Sequence, residues 1–251
     1  MDKLIDILLD EKPAFQIQSG NKDVASSEAL LFEASALDTS GLKRTSAALP
    51  EKSLRYLDSI LSPGQVTIEI GGGQSTVLFA SKVKKHYCIN PDHTANVLIR
   101  EYLESKGYNH DNLVFIEESS DLAYLKLSMD ENIDVALLDG NHSFPFPMVD
   151  WHYVNKYLRS GSYLLVDNVE ITAVKILTEY LNMEPAYRLI KRVYDSSRYD
   201  CYCYEKILDD VTIGWKDQCI NQTTLARLSL RTMATKFTQK LVDLINIFRK
   251  R

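Results

Sequence analysis

The chain has 251 residues, 45% of them hydrophobic and 25% charged, which excludes a disordered or fibrous polymer and leaves room for a large α/β core. Lys and Arg number 29 against 34 Asp and Glu, a formal net charge of -5, and no arginine-rich run is present. An acidic chain of this kind is not built to neutralise a phosphate backbone, so no nucleic-acid partner is expected. The four cysteines, Cys88, Cys201, Cys203 and Cys219, form no C-x-x-C pair, which argues against a zinc ribbon and a disulfide scaffold and predicts a reducing, cytoplasmic setting.

The opening residues MDKLIDILLDEK place acids inside the apolar stretch, unlike a secretory signal, and no apolar run approaches the roughly 20 residues of a membrane span. Leu4, Ile5, Leu8 and Leu9 repeat at helical spacing until Pro13. Ser26 or Ser27 can cap a second helix through Leu30, Leu31 and Leu37, with Gly41 as its stop. A third helix follows Pro50, with Leu54, Leu57, Ile60 and Leu61 on one face, and stops at Pro63-Gly64. Residues 1–62 therefore read as a helical N-terminal cap or lid.

From residue 63 the pattern alternates short apolar runs with helical stretches. The predicted strands are Val66–Ile70, His86–Ile89, Leu113–Ile116, Val135–Leu138 and Tyr163–Val166. Helices are predicted near Ser75–Val83, Thr94–Lys106, Asp121–Ser128, Pro147–Leu158 and Ala173–Leu181. Repeated strand-then-helix units with nearly continuous apolar strands indicate a parallel sheet covered on both faces. Tyr187–Val193 and Asp200–Lys206 then read as a hairpin around Tyr194–Tyr199. Within it Cys201 and Cys203 point to one face and Tyr202 and Tyr204 to the other, a core arrangement. The domain is expected to end near residue 210. Residues 211–251 are a helical tail with an apolar stripe (Leu225, Leu228, Phe237, Leu241, Leu244, Ile245, Phe248) beside Arg227, Arg231, Lys236, Lys240, Arg249, Lys250 and Arg251. Such a tail can pack on its own acidic domain or dock on a second copy, another acidic partner or an anionic membrane, and the terminal amphipathic segments make a homodimer an expectation.

Chemistry concentrates where the predicted strands end. The first runs into Glu69-Ile70-Gly71-Gly72-Gly73-Gln74-Ser75-Thr76. Glycines there permit a sharp turn and close backbone approach, and the following helix N-terminus offers free N–H groups. It is not a Walker loop and is an incomplete G-x-G-x-x-G, with Thr76 at the third position. Glu69 inside the strand suits a ligand ammonium. The second strand ends at Asn90-Pro91-Asp92, where ribose hydroxyls are read in nucleotide-binding folds, although a polar turn explains these residues too. The third ends at Ser119-Ser120, able to bond an adenine or to cap a helix. The fourth runs into Asp139-Gly140-Asn141-His142 and the fifth into Asp167-Asn168. Two carboxylates and an amide oxygen are hard ligands suited to Mg²⁺ or Ca²⁺ rather than Zn²⁺. His142, three residues after Asp139, is a candidate base. His86, His93, His110 and His152 have no such context and read as structural or exposed.

Together these features resemble class I S-adenosylmethionine-dependent methyltransferases: the Glu69-x-Gly71-x-Gly73 loop, the polar end of strand two, and the parallel sheet closed by a hairpin. The stretches Gly71–Thr76 and Leu138-Asp139-Gly140-Asn141-His142-Ser143-Phe144 resemble bacterial small-molecule methyltransferases with a D-G-x-H motif. Asp139 with Asp167-Asn168 resembles the metal set of the Mg²⁺-dependent catechol O-methyltransferase group. The resemblance implies a Rossmann-like, seven-stranded, mostly parallel sheet with a terminal antiparallel hairpin, flanked by the N-terminal lid and the C-terminal amphipathic helix. It implies that Glu69, Gly71, Gly72, Gly73 and Ser75 hold the methionine end of S-adenosylmethionine, Asn90 or Asp92 the ribose, and Ser119 or Ser120 the adenine. Asp139, Asp167 and Asn168 then hold Mg²⁺ against a small acceptor hydroxyl, and His142 stands where that group carries a catalytic lysine. Asn90 departs from the family's acidic ribose ligand. Two other readings stay open: a metal-independent enzyme acting on a sugar hydroxyl or an amine, and a non-catalytic partner-binding module of the same fold.

Overall fold

The computed structural model describes residues 4–17, 44–45, 49–108, 110–127, 129–194, 200–209 and 218–221. Helix α1 (Leu4–Glu11) leads to a short antiparallel ladder of β1 (Gln16–Ile17) and β2 (Arg44–Thr45), then to α2 (Glu51–Ile60). The main body alternates β3 (Val66–Ile70), α3 (Gln74–Lys82), β4 (Lys85–Ile89), α4 (His93–Ser105), β5 (Leu113–Ile116), α5 (Ser120–Lys126), β6 (Ile133–Leu138), α6 (Phe146–Val154), β7 (Leu158–Val166) and α7 (Thr172–Leu181). It ends with β8 (Tyr187–Val193) and β9 (Cys201–Lys206). The seven strands lie in the order β5-β4-β3-β6-β7-β9-β8. The first five are parallel, and β9 is antiparallel to both neighbours, inserted between β7 and β8. This is the Rossmann-like mostly parallel sheet with an antiparallel terminal hairpin.

Alternation along the strands divides the core into two layers. On one face Cys88, Val135, Leu137, Leu165, Cys201 and Cys203 pack against α1, α2, α3 and α4. On the other, Ile68, Ile70, Ile89, Ala136, Leu138 and Tyr204 pack against α5, α6 and α7. The hairpin cysteines and Tyr204 thus take opposite faces, as their period-two spacing requires.

The N-terminal reading changes in detail. Ile5 and Leu8 of α1 and Leu54 and Leu57 of α2 are buried in the same cluster as Val77 and Leu78 of α3. These two helices are core layers rather than a cover over the strand ends, and the apolar side of α1 is used inside its own chain rather than kept for a dimer. Among the described residues that follow α1, the Pro13 carbonyl accepts from the Gln74 side chain at the start of α3 (3.3 Å). The predicted second helix at residues 26–41 and the basic tail at 222–251 lie outside the described residues. No helix among those described is long and apolar enough to cross a membrane.

Lys206 at the end of β9 is fully buried. Its ammonium donates to the Asn155 carbonyl (3.1 Å), the Asn155 side chain (3.0 Å) and the Leu158 carbonyl (3.1 Å), just past the C-terminus of α6. A cation there meets the negative end of the helix dipole and carbonyls that the helix leaves open. Lys206→Met is therefore expected to destabilise the fold by about 2–3 kcal/mol, since it strands these acceptors in the core. Urea unfolding of the two proteins measures it.

Candidate functional site

Each site residue stands where a parallel strand gives out, and the ladder continues just far enough to align them. The Gly71 N–H donates to the Ile89 carbonyl (2.9 Å), Asn90 N–H to Ile116 (3.1 Å), Asp139 N–H to Ile70 (3.0 Å) and Asp167 N–H to Leu138 (3.1 Å). Asn90, Gly71, Asp139 and Asp167 thus end neighbouring strands along one edge, the place where open α/β sheets bind ligands. The glycine turn is shaped by its neighbours. Gly71 has a φ of +88, and a Cβ there would sit 2.2 Å from the Asp139 carbonyl oxygen. A Cβ at Gly72 would sit 2.8 Å from Asn90 Nδ2. The turn therefore packs between the ends of β4 and β6.

Glu69 corrects the sequence reading. It is fully buried beneath the turn, not open to a ligand ammonium. Ser75 Oγ donates to Oε2 (2.7 Å), while Oε1 accepts from the Thr76 hydroxyl and contacts His86 Nε2 at 3.1 Å. Thr76 Oγ1 in turn accepts from the Gly73 N–H (2.9 Å). Ser75 is likewise committed to Glu69 rather than aimed at a ligand. Thr76 and His86 were not singled out by sequence reasoning. The available signal is strand alternation, which puts Thr67, Glu69, His86 and Cys88 on one sheet face.

At the end of β4, Asn90 is 7% exposed, and its Nδ2 donates to Asn96 Oδ1 (2.8 Å). Asp92 is the N-cap of α4 and accepts from the Ala95 N–H (3.0 Å), so its place is structural at least in part. Ser119 is the N-cap residue of α5 without a side-chain cap bond, leaving its hydroxyl for other work. Ser120 is buried and bonded to Asp150. Asp150, in the middle of α6, was not foreseen. It is 2% exposed, accepts from Tyr124 (3.4 Å), and its Oδ2 is 3.6 Å from where a Cβ on Gly140 would lie. Burial pushes its pKa up to about 6, against the pull of the Ser120 and Tyr124 hydrogen bonds.

His142 and Asp139 meet as their spacing suggests. Nε2 lies 3.5 Å from Asp139 Oδ1, and it is a buried nitrogen without a hydrogen-bond partner. Burial raises the Asp139 pKa; His142 works against that rise, and the Glu69 charge adds to it. Asp167 is 3% exposed, and burial followed by the Asp139 charge pushes its pKa up to about 8. Its Oδ1 is buried with no hydrogen-bond partner. Asn168 adopts a left-handed φ of 55, which turns the chain sharply at the end of β7. Among the described residues no three His, Cys, Asp or Glu side chains converge to hold a metal. Asp139, Asp167 and Asn168 nevertheless offer only hard oxygen donors, with one carboxylate oxygen unused. Mg²⁺ takes donors of this chemical kind, keeping waters beside few protein ligands.

Residues 68–169 match the family model for a methyltransferase domain. Among solved structures, a cofactor-bound protein, Rv0187 from MTB, aligns with a TM-score of 0.57 at 15% identity, covering 82% of this chain and 97% of that one. A candidate O-methyltransferase from Klebsiella pneumoniae aligns with a TM-score of 0.55 at 17% identity over 83% of this chain and 91% of that one. An rRNA methylase from Streptococcus thermophilus has a TM-score of 0.52 at 16% identity, with 65% and 99% covered. No curated protein matches the sequence. The fold is thus a Rossmann-like α/β methyltransferase fold.

Asp150 gives a pH signature. Its folded-state pKa lies above the unfolded value of 3.8, so its proton stabilises the fold below about pH 4, and that contribution is lost as pH rises through about 6. The penalty of burying the charge at neutral pH is about 3 kcal/mol at most. Relative to the parent, Asp150→Asn is expected to gain stability as pH rises from 4 to 7.5, in paired denaturant titrations across that range.

Proposed function

We propose that the protein transfers a methyl group from S-adenosylmethionine to a hydroxyl of a small molecule, with His142 as base. The observation that carries this reading is the line of strand ends that holds His142 Nε2 3.5 Å from Asp139 Oδ1, with the buried, unpaired Asp167 Oδ1 at the end of the neighbouring strand and the glycine turn at the end of the strand on the other side. When bound, S-adenosylmethionine supplies an electrophilic methyl on a sulfonium. The Gly71–Gly73 turn and the first turn of α3 would hold its amino-acid end through backbone groups, Asn90 its ribose and Ser119 its adenine edge.

On the acceptor side, His142 Nε2 takes the hydroxyl proton. Asp139 stabilises the resulting imidazolium, because a buried carboxylate gains from an adjacent cation. Asp139, Asp167 and Asn168 would also hold Mg²⁺, which supplies Lewis-acid stabilisation of an oxyanion. Most of the acceleration then comes from holding donor and acceptor in line. The net charge of -5 supports a small acceptor over an RNA backbone.

The test is release of S-adenosylhomocysteine on a panel of catechols, sugars and small amines. His142→Ala is expected to lower kcat by about 100-fold or more with little change in donor affinity. EDTA should abolish turnover and Mg²⁺ restore it. Full turnover in His142→Ala contradicts the base assignment, and turnover that survives EDTA selects the metal-independent enzyme. Donor binding without turnover on any acceptor favours a partner-binding module.

A further inference from the structure

Among the described groups that the mechanism above does not use is a buried Glu–His pair beneath the glycine turn. Glu69 and His86 both have fully buried side chains. Burying a carboxylate is costly unless several donors meet it, so such a group persists only where its surroundings are strongly determined. Three N–H or O–H donors meet it, Ser75 and Thr76 from the first turn of α3 and His86 from β4, with the Cys88 thiol alongside. The two hydroxyls tie the carboxylate to the helix start. The imidazole is the one donor of the three that comes from the sheet.

The imidazole is itself held at three points. Its Nδ1 lies 2.8 Å from Thr67 Oγ1. Thr67 Oγ1 also lies 3.4 Å from the Lys85 carbonyl oxygen. Phe79 of α3 stacks on the ring at 4.4 Å between centroids, with planes 8° apart. Thr67 can donate to Nδ1, or accept from it while donating to Lys85. An ionised Glu69 accepts at Oε1, so Nε2 is the donor side of that contact and Nδ1 the side that meets Thr67. The ring therefore sits in one orientation, with Nε2–H aimed at Oε1.

We propose that His86 is a positioning residue for the methyl donor, acting through Glu69 on the glycine turn. This rests on the reading of that turn as the donor site. The path is short and continuous. His86 fixes Glu69; Glu69 fixes the Ser75 and Thr76 hydroxyls; Thr76 Oγ1 receives the Gly73 N–H. The turn is thereby set in place before any ligand arrives, and binding need not order it. Without the imidazole donor, the carboxylate keeps the Ser75 and Thr76 hydroxyls and the neighbouring Cys88 thiol, and loses its one N–H donor from the sheet.

The test compares His86→Gln, whose amide can place a donor near the position of Nε2, with His86→Phe, which keeps the stack on Phe79 and loses the donor. S-adenosylhomocysteine affinity is read by calorimetry, and hydrogen exchange of Gly71–Thr76 is read on ligand-free protein. His86→Phe is expected to weaken S-adenosylhomocysteine binding at least tenfold and to speed exchange in the turn about tenfold, with exchange in α5 and α6 unchanged. His86→Gln should return both to within about threefold of the parent. A merely structural role predicts that affinity follows overall stability, without rescue by glutamine. If His86→Phe fails to fold, the double variant Glu69→Gln/His86→Phe buries no charge and is used instead, with the same weakened binding expected. Parent-like affinity and turn exchange in the Phe or double variant overturn the proposal, as does a Gln variant no better than Phe. If the parent itself binds no S-adenosylhomocysteine, the donor reading fails. The turn exchange, read without ligand, still decides whether His86 sets the turn.

Discussion

Everything at this site depends on the parallel ladder running slightly past its own strands. Each strand end in the middle of the sheet donates one more backbone N–H to its neighbour, from Asn90 to Ile116, Gly71 to Ile89, Asp139 to Ile70 and Asp167 to Leu138. These bonds hold four unrelated loops in register without any side chain. Parallel strands that end together leave their loops side by side, and a crossover helix then carries the chain away from each. The glycines at 71 and 72 follow from the same constraint, because the loops approach too closely for a Cβ at either position.

Buried polarity is divided unevenly along this edge. Beneath the glycine turn the demand is met: Glu69 has three donors and shows no unbonded atom. At the ends of β6 and β7 it is not, since His142 Nε2 and Asp167 Oδ1 are buried without partners. A ligand, ion or water bound at this edge would complete the bonding of those two atoms. The satisfied half is therefore suited to presenting a fixed backbone surface. The unsatisfied half is suited to chemistry, where proton and charge must change hands. Asp150 lies behind the 139–142 loop with its own raised pKa, adding to the concentration of perturbed carboxylates on this side of the sheet.

Most of the architecture is legible in the sequence because continuous apolar runs announce buried strands. Val66–Ile70, Leu113–Ile116 and Tyr187–Val193 have the bounds their patterns predict. β6 and β7 begin earlier than predicted, because polar residues hide their starts. Asp134 lies within β6 and accepts the Val66 N–H (2.7 Å), and Arg159–Ser162 fill the first half of β7. Within the site, Asp139 and His142 are legible because both belong to one short loop. The Glu69–His86 contact is not, because it depends on the register that pairs Thr67 with His86. Asp150 is equally hidden, since a carboxylate in mid-helix looks solvated until tertiary packing encloses it. Glu69 shows the same limit: a polar residue in a strand signals a special environment without saying whether ligand or protein supplies it, and here Ser75, Thr76 and His86 are its partners.

The central claim is that this row of strand ends is a methyl-donor site. Isothermal titration of the intact protein with S-adenosylhomocysteine, with NADH as the control, tests it most directly. Saturable binding of one S-adenosylhomocysteine per chain, with no heat from NADH, is the predicted result. Absence of S-adenosylhomocysteine binding, or equal binding of NADH, would contradict the account.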